Sequence, residues 1–324
     1  MIDSYGRKIN YLRISITDRC NLRCQYCMPE DLPSISHKEI LRFEEILQIC
    51  QYAGELGIHN FKVTGGEPFV RKGCIDFLKQ LKALPYTEQV TITTNGTLLG
   101  EFLPELKNMG IDGINISLDT LNPQTFEQIT RQKGQELVLK NIIKSQELGI
   151  RTKVNTVLLK GINDKEFPDL LHLARDYAVD VRFIEIMPIG FGKNYLGYDR
   201  EKLLSKITEL YPDYQVTTQK RGNGPANYIQ IPGFQGCIGF IDAVHGKFCN
   251  HCNRIRLTAD GMLKLCLYYE NGLNLRNLLR TGLTSEEVRS AIEKAILQKP
   301  SEHCFYQPAL EGEPELRKMS QIGG

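Results

Sequence analysis

The chain has 324 residues, 41% of them hydrophobic and 24% charged, enough apolar material for one large α/β domain with an appendage. Its formal net charge of +2 excludes recognition of a nucleic acid or a membrane through bulk electrostatics. The N-terminus "MIDSYGRKINYLRIS" carries charges where a secretion signal needs an apolar core, and no apolar run approaches a membrane span, so the expected compartment is the cytoplasm, where thiols stay reduced.

Strand-like and helix-like segments alternate from residue 10 to about 190. The β-branched run "YLRISI" predicts a first strand that ends in a cysteine-bearing loop. A helix is predicted from about Lys38 to Leu56, because Ile40, Leu41, Phe43, Ile46, Leu47 and Cys50 recur at helical spacing. The runs "FKVTGG", "QVTITTNG", "GINISLD", "TKVNTVLL" and "VRFIEIM" predict strands two to six. Amphipathic segments at Gln124–Leu148 and Lys165–Tyr177 predict covering helices. Such alternation implies parallel strands with helices packed on them. Beyond residue 200, "REKLLSKITEL" predicts a helix, "KRGNGPANYIQI" a glycine-rich turn into a strand, and Ser285–Leu297 a last helix.

An open doubly wound sheet and a barrel both satisfy this alternation. The polar and glycine-rich residues favour the barrel, because they close one strand after another. Gly65-Gly66-Glu67-Pro68 follows strand two, Thr93-Thr94-Asn95-Gly96 follows strand three, Ser117 and Asp119 end strand four, and Met187 ends strand six. An open sheet concentrates ligand contacts at its switch point, whereas a barrel collects them on one face. Six units are fewer than eight, so the expected fold is an α/β incomplete (β/α)6 TIM-like barrel with a lateral opening. The expected organisation is a partial barrel over 1–200, a C-terminal domain over 201–300 that closes the opening, and a mobile tail over 301–324 that ends in Gly-Gly.

The 10 cysteines are clustered rather than spread as a disulfide framework. Cys20, Cys24 and Cys27 stand as C-x3-C-x2-C in "CNLRCQYC". Zinc and most iron–sulfur clusters take four protein ligands, and here there are three. Three thiolates within one loop can hold three corners of a 4Fe–4S cube and leave the last iron open to a small molecule. A zinc site with a distant fourth ligand and a redox C-x2-C pair are the alternatives. Cys50 falls on the apolar side of its helix and reads as a small core hydrophobe. Cys74, Cys237 and Cys304 receive no role.

The segment "CNLRCQYC", with "TGGEP" at the next strand end, resembles the radical S-adenosylmethionine (SAM) superfamily. The resemblance implies that the methionine moiety of SAM chelates the open iron. It further implies that reductive cleavage of the sulfonium releases a 5′-deoxyadenosyl radical. Tyr26, Gly66, Ser117 and Met187 match SAM-contacting positions of that superfamily. Gly65 and Gly66 lack a Cβ, which lets backbone approach a ligand closely.

A second triplet, Cys249, Cys252 and Cys266, is again three and not four. A zinc knuckle completed by His251 or His245 remains open on the residues alone, as does a zinc-stabilised binding module. No Walker A loop is present, so nucleotide phosphates would need other partners. Arg13, Lys62, Lys153, Arg254 and Arg256 lie at or near strand ends. A triphosphate carries about three to four negative charges, and a similar number of cations is expected around it. Guanidinium groups suit it through bidentate contact.

The ordered motifs "LRISITDRCNLRCQYCMP", "TTNGTLL", "INISLDTL", "KVNTVLLKGIND", "RFIEIMP" and "FCNHCNRIRLTADGMLKLCL", with a terminal "GG", resemble the GTP-cyclising branch of the superfamily in molybdenum cofactor biosynthesis. That resemblance spans about Tyr11 to Leu267 and resumes at Gly323-Gly324. It implies two 4Fe–4S clusters, SAM as co-substrate, and GTP as substrate. The radical takes the ribose 3′ hydrogen, the C3′ radical adds to guanine C8, and the product is 3′,8-cyclo-7,8-dihydro-GTP. Arg13, Lys62, Thr93, Lys153 and the segment Arg254, Ile255, Arg256 match GTP-binding positions. Gly323 and Gly324 match a tail that enters the active site. Lys62 departs from the family, where arginine is common; lysine keeps the charge and loses the fork. A reactive carbon radical needs a site that excludes water. The resemblance also implies a homodimer, a low-potential donor such as flavodoxin, and transfer of the product to cyclic pyranopterin monophosphate synthase. A peptide-modifying radical SAM enzyme with an auxiliary cluster is the alternative.

Overall fold

The computed structural model describes residues 1–28, 35–305 and 312–323. In chain order the strands are β1 (Tyr11–Ser15), β2 (Asn60–Thr64), β3 (Gln89–Thr94), β4 (Gly113–Ser117), β5 (Thr152–Val157), β6 (Asp180–Ile184), β7 (Gln215–Thr217), β8 (Asn227–Gln230), β9 (Ile238–Ile241), β10 (Arg254–Leu257), β11 (Met262–Lys264) and β12 (Gly272–Asn274). The helices are α1 (Phe43–Glu55), α2 (Cys74–Ala83), α3 (Leu99–Asn108), α4 (Pro123–Thr130), α5 (Gln135–Glu147), α6 (Phe167–Asp176), α7 (Arg200–Leu210), α8 (Leu275–Arg280), α9 (Ser285–Leu297) and α10 (Met319–Ile322).

The chain packs as two compact units, each discontinuous in sequence. The first comprises 1–21, 27–92 and 249–324, and its strands run in the order β12-β11-β10-β1-β2-β3. Strands β10, β1, β2 and β3 are parallel, and β11 and β12 return antiparallel. The second comprises 22–26 and 93–248, with the order β4-β5-β6-β9-β8-β7. There β4, β5, β6 and β9 are parallel, and β8 and β7 antiparallel. Neither strand order closes on itself, as expected for an incomplete barrel. Residues 201–300 therefore divide: β9 pairs with β6 in one unit and β10 with β1 in the other. Strand pairing overrides contiguity along the chain.

All six expected βα strands form. One face of these strands is apolar and shielded from solvent, at Leu12, Ile14, Val63, Ile92, Ile114, Ile116, Val154 and Val181, and the alternate positions carry Arg13, Lys62, Asn115, Lys153 and Arg182. α1 starts later than its apolar periodicity suggests. Residues 36–40 form a turn in which Glu39 N–H and Ile40 N–H donate to Ser36 O, and Leu41 N–H donates to Ala259 O at 2.9 Å. The helix begins where Glu45 accepts the Arg42 N–H at 2.7 Å. The amphipathic segment Gln124–Leu148 forms two helices, α4 and α5. Arg131 takes a left-handed conformation (φ 60°) that ends α4, and Gly134 (φ 134°) precedes α5. Only the second of these was legible, since Gly marks such positions and Arg does not.

The described part of the expected tail is built into the first unit. Glu270 N–H donates to Glu313 O, and Glu315 N–H to Tyr268 O at 2.7 Å. Ser320 and Ile322 are buried. Among the described residues no helix is long and apolar enough to cross a membrane.

Candidate active site

In the first unit the loop leaving β1 meets the loop leaving β2. Gly66 N–H donates to Thr17 O at 2.7 Å and Glu67 N–H to Arg19 O at 2.8 Å. A Cβ on Gly66 would overlap the Arg19 carbonyl and lie 2.8 Å from Asp18 O, and one on Gly65 would lie 2.7 Å from Thr17 O. Both glycines are therefore required by backbone lying on backbone. That contact sets the path of the chain into Cys20.

In the second unit Arg23 N–H and Gln25 N–H donate to the carbonyls of Thr130 and Ile129, each at 2.9 Å. These bonds dock the segment carrying Cys24 and Tyr26 on the end of α4. A pocket of about 30 Å3, room for about one water, lies there and is lined by Cys24, Tyr26, Asn95, Ser117 and Asp119 among others. Two expected SAM contacts, Tyr26 and Ser117, thus share one pocket. The Tyr26 hydroxyl donates to Asp119 Oδ2 at 2.7 Å, and Val157 N–H donates to Oδ1 at 2.8 Å. Burial pushes the Asp119 carboxyl up to about 6, although both hydrogen bonds oppose it. Met187 stands in the turn after β6, where its carbonyl accepts Ile189 N–H at 2.7 Å, and it is not among the residues lining this pocket.

A row of cations crosses the first unit's sheet. Arg13 on β1 is in register with Lys62 on β2 and with Arg256 on β10. Parallel neighbours stand about 4.8 Å apart, so three positive groups share one face. Arg254, two residues before Arg256, shares that face by alternation. Ile255 points the other way, 1% exposed and paired with Leu12, so it offers a ligand only its main chain. Burial, with Arg13 and Arg254 nearby, pulls the Arg256 guanidinium down to about 9. An arginine stays protonated even so; the shift expresses burial first and repulsion second, both of which an anion would offset. The carbonyl of Gly323 partly does so now, accepting Arg13 Nε–H and Arg256 Nη1–H, each at 3.0 Å. Gly323 has φ 87°, and a Cβ there would lie 2.9 Å from Ser15 Cβ, so the position demands glycine twice over. Gly324 lies outside the described residues.

Thr93 and Lys153 belong to the second unit. Lys153 Nζ donates to Tyr228 Oη at 2.9 Å and to the Arg221 carbonyl, with Asp180 at 3.6 Å. Burial first and Arg182 second push the Lys153 amine down to about 7, outweighing Asp180. Thr93 Oγ1 accepts from Asn115 Nδ2 at 3.4 Å. Arg182 ties Asn115 and Asn155 together at 2.8 and 2.9 Å. Sequence reasoning passed over Arg182, Asn115 and Asn155, and it placed Asp119 at the end of strand four without a site role. The available signal was polar residues at alternate positions of strands otherwise buried.

The second triplet lies wholly in the first unit. Cys249 begins a helical turn closed by Cys252 N–H to Cys249 O at 3.1 Å, and Cys266 follows β11. All six cysteines of the two triplets are half-buried and none is joined in a disulfide. Burial pushes the Cys249 thiol up, and Cys266 and Cys252 push it further. Burial also acts to raise Cys252, but Lys299, Arg254 and Arg7 outweigh it and hold that thiol below its usual range. Among the described residues no three His, Cys, Asp or Glu groups close around a single metal ion. Thiol-only donors set among cations fit an anionic iron–sulfur cluster. The four remaining cysteines are buried, and burial alone pushes the Cys50 thiol far up.

Parallel α/β units, a three-thiol loop after the first strand and a glycine loop after the second define a radical SAM enzyme. Residues 14–174 match the Radical SAM superfamily, and residues 179–305 match the family described as Molybdenum Cofactor Synthesis C. The chain is 43% identical over 325 residues to the GTP 3′,8-cyclase of Clostridium perfringens (strain 13 / Type A) and 44% identical over 329 residues to that of Petrotoga mobilis, covering 100% of this chain and of each relative. The chain belongs to the GTP 3′,8-cyclase family of radical SAM enzymes. Membership entails 4Fe–4S clusters and SAM, and it sets aside the zinc-module reading. Streptococcus suis SuiB, in its structure bound to S-adenosylmethionine, superposes with a TM-score of 0.63 at 15% identity, over 92% of this chain and 73% of SuiB. That likeness concerns the fold alone, and the peptide-modifying alternative is not favoured.

Proposed function

We propose that this chain converts GTP to 3′,8-cyclo-7,8-dihydro-GTP in molybdenum cofactor biosynthesis. Identity of 43% along the whole chain to a GTP 3′,8-cyclase carries this reading. When bound, the clusters and SAM supply reductive cleavage to a 5′-deoxyadenosyl radical and an open iron for the guanine edge. Cys20, Cys24 and Cys27 hold the first cluster, and Cys249, Cys252 and Cys266 the second. Tyr26, Gly66, Ser117 and Met187 seat SAM. Arg13, Arg254 and Arg256 bind the triphosphate, with Lys62 adding a point charge. Thr93, Lys153 and the Ile255 main chain are further GTP contacts. Gly323 and Gly324 act on the bound nucleotide, and the Gly323 carbonyl orients Arg13 and Arg256. Cytoplasmic location, a homodimer, a flavodoxin-like electron donor and delivery of product to cyclic pyranopterin monophosphate synthase belong to the same proposal. Cluster potentials span roughly −700 to +450 mV, and the first cluster needs a donor at the low end.

The test is anaerobic turnover with SAM, dithionite and GTP deuterated at ribose C3′. Deuterium in the 5′-deoxyadenosine places hydrogen removal at C3′. Deoxyadenosine without deuterium overturns that assignment while leaving the SAM site intact.

A further inference from the structure

Lys299 follows α9 and is 3% exposed. Its ammonium donates to the carbonyl of Leu265, the residue before Cys266. Among the described residues no carboxylate pairs with it. Two other buried cations of the same unit, Arg7 and Lys264, are neutralised, the first by Asp3 at 2.6 Å and the second by Glu315. A buried charge left unpaired is costly, and proteins rarely keep one. Lys299 therefore lacks a counter-charge that something else must supply. Its surroundings indicate what. Arg7 donates to the carbonyl of Cys249 at 3.1 Å and to that of Lys299 at 3.4 Å, and Leu265 ties the ammonium to the peptide that leads into the third thiol. A cube held by three thiolates is anionic, and reduction makes it more so.

We propose that Lys299 is the built-in counter-charge of the second cluster, favouring its assembly and raising its reduction potential. The two charges then neutralise each other in one buried place. Each alone would be unfavourable there, so cluster loading and the burial of Lys299 support one another. Lys299 acts through the cluster and touches no substrate, which makes it a positioning residue. Arg254, by contrast, lies on the face assigned to the triphosphate, and its charge is shared with GTP.

This inference rests on the second triplet holding a cluster. The experiment is an EPR-monitored potentiometric titration of the anaerobically reconstituted full chain, compared with Lys299→Met and Lys299→Arg. A full chain with Cys20, Cys24 and Cys27 replaced by alanine identifies the second cluster's signal. The expected result is a lower potential for the second cluster in Lys299→Met, with a parent-like potential in Lys299→Arg. Loss of second-cluster iron in Lys299→Met, with retention in Lys299→Arg, supports the proposal equally. Full iron and an unmoved potential in Lys299→Met overturns it. Loss of the cluster in both variants also overturns it, since packing rather than charge then matters. If the triple-alanine chain binds no iron, the underlying assignment of the second triplet fails instead.

Discussion

The buried pair Lys264–Glu315 links stability to the active site. Each side chain is 1% exposed. Lys264 also donates to the carbonyls of Tyr269 at 2.6 Å and Glu270 at 3.4 Å, while Glu315 accepts the Arg317 N–H at 2.9 Å. The pair fastens the segment that continues to Gly323, whose carbonyl lies on Arg13 and Arg256. Glu315→Leu leaves the ammonium in a low-dielectric site with neutral partners only. Removing one member of a buried pair costs about 3–5 kcal/mol. Lys264→Met strands the carboxylate, at a cost of similar size. Lys264→Met/Glu315→Leu removes both charges and is expected to be roughly neutral. The double-mutant cycle should therefore return a coupling of at least about 6 kcal/mol. The assay is urea unfolding under anaerobic conditions, read by far-UV circular dichroism. Turnover is measured alongside: cyclic product should fall in the single variants, while deoxyadenosine formed without GTP stays constant. Additive single variants, each within about 1 kcal/mol of the parent, would refute the anchoring role.

Gly66→Ala drives a Cβ into the Arg19 carbonyl, and overpacking against backbone costs about 1–3 kcal/mol. Iron assigned to the first cluster should drop while the second stays loaded; full iron contradicts the close-contact argument. Asp119 has a carboxyl raised from 3.8 to about 6, so the folded state binds its proton more tightly than the unfolded chain. Its contribution is present at low pH and is lost as pH rises from about 4 to about 6, amounting to about 3 kcal/mol for two pH units. Asp119→Asn should flatten the fall in thermal stability across this window, and an unchanged slope removes Asp119 as its source. Lys153, held near 7, is a proposed GTP contact whose attraction for the nucleotide should weaken as pH rises above that value. The kcat/KM for GTP should fall accordingly, and Lys153→Arg should abolish that fall; identical profiles for the two proteins refute the assignment.

Local patterns sufficed for much of the chemistry. Both thiol triplets, the paired glycines after β2 and the order of six βα strands are written in short stretches, because ligand spacing and strand periodicity act over a few residues. α7 and α9 fall where the apolar periodicity and caps place them. Tertiary structure alone decided which distant groups meet. The row Arg256–Arg13–Lys62 exists because β10, far along the chain, pairs beside β1 in a particular register. Composition made the C-terminal segment read as a free tail, yet Glu315 meets Lys264 and Gly323 meets two arginines. Nothing in its local sequence distinguishes Lys299, a lysine just after a helix. Its burial next to Cys266 follows from packing between elements remote in sequence, and a charge takes its meaning from what surrounds it once water is gone.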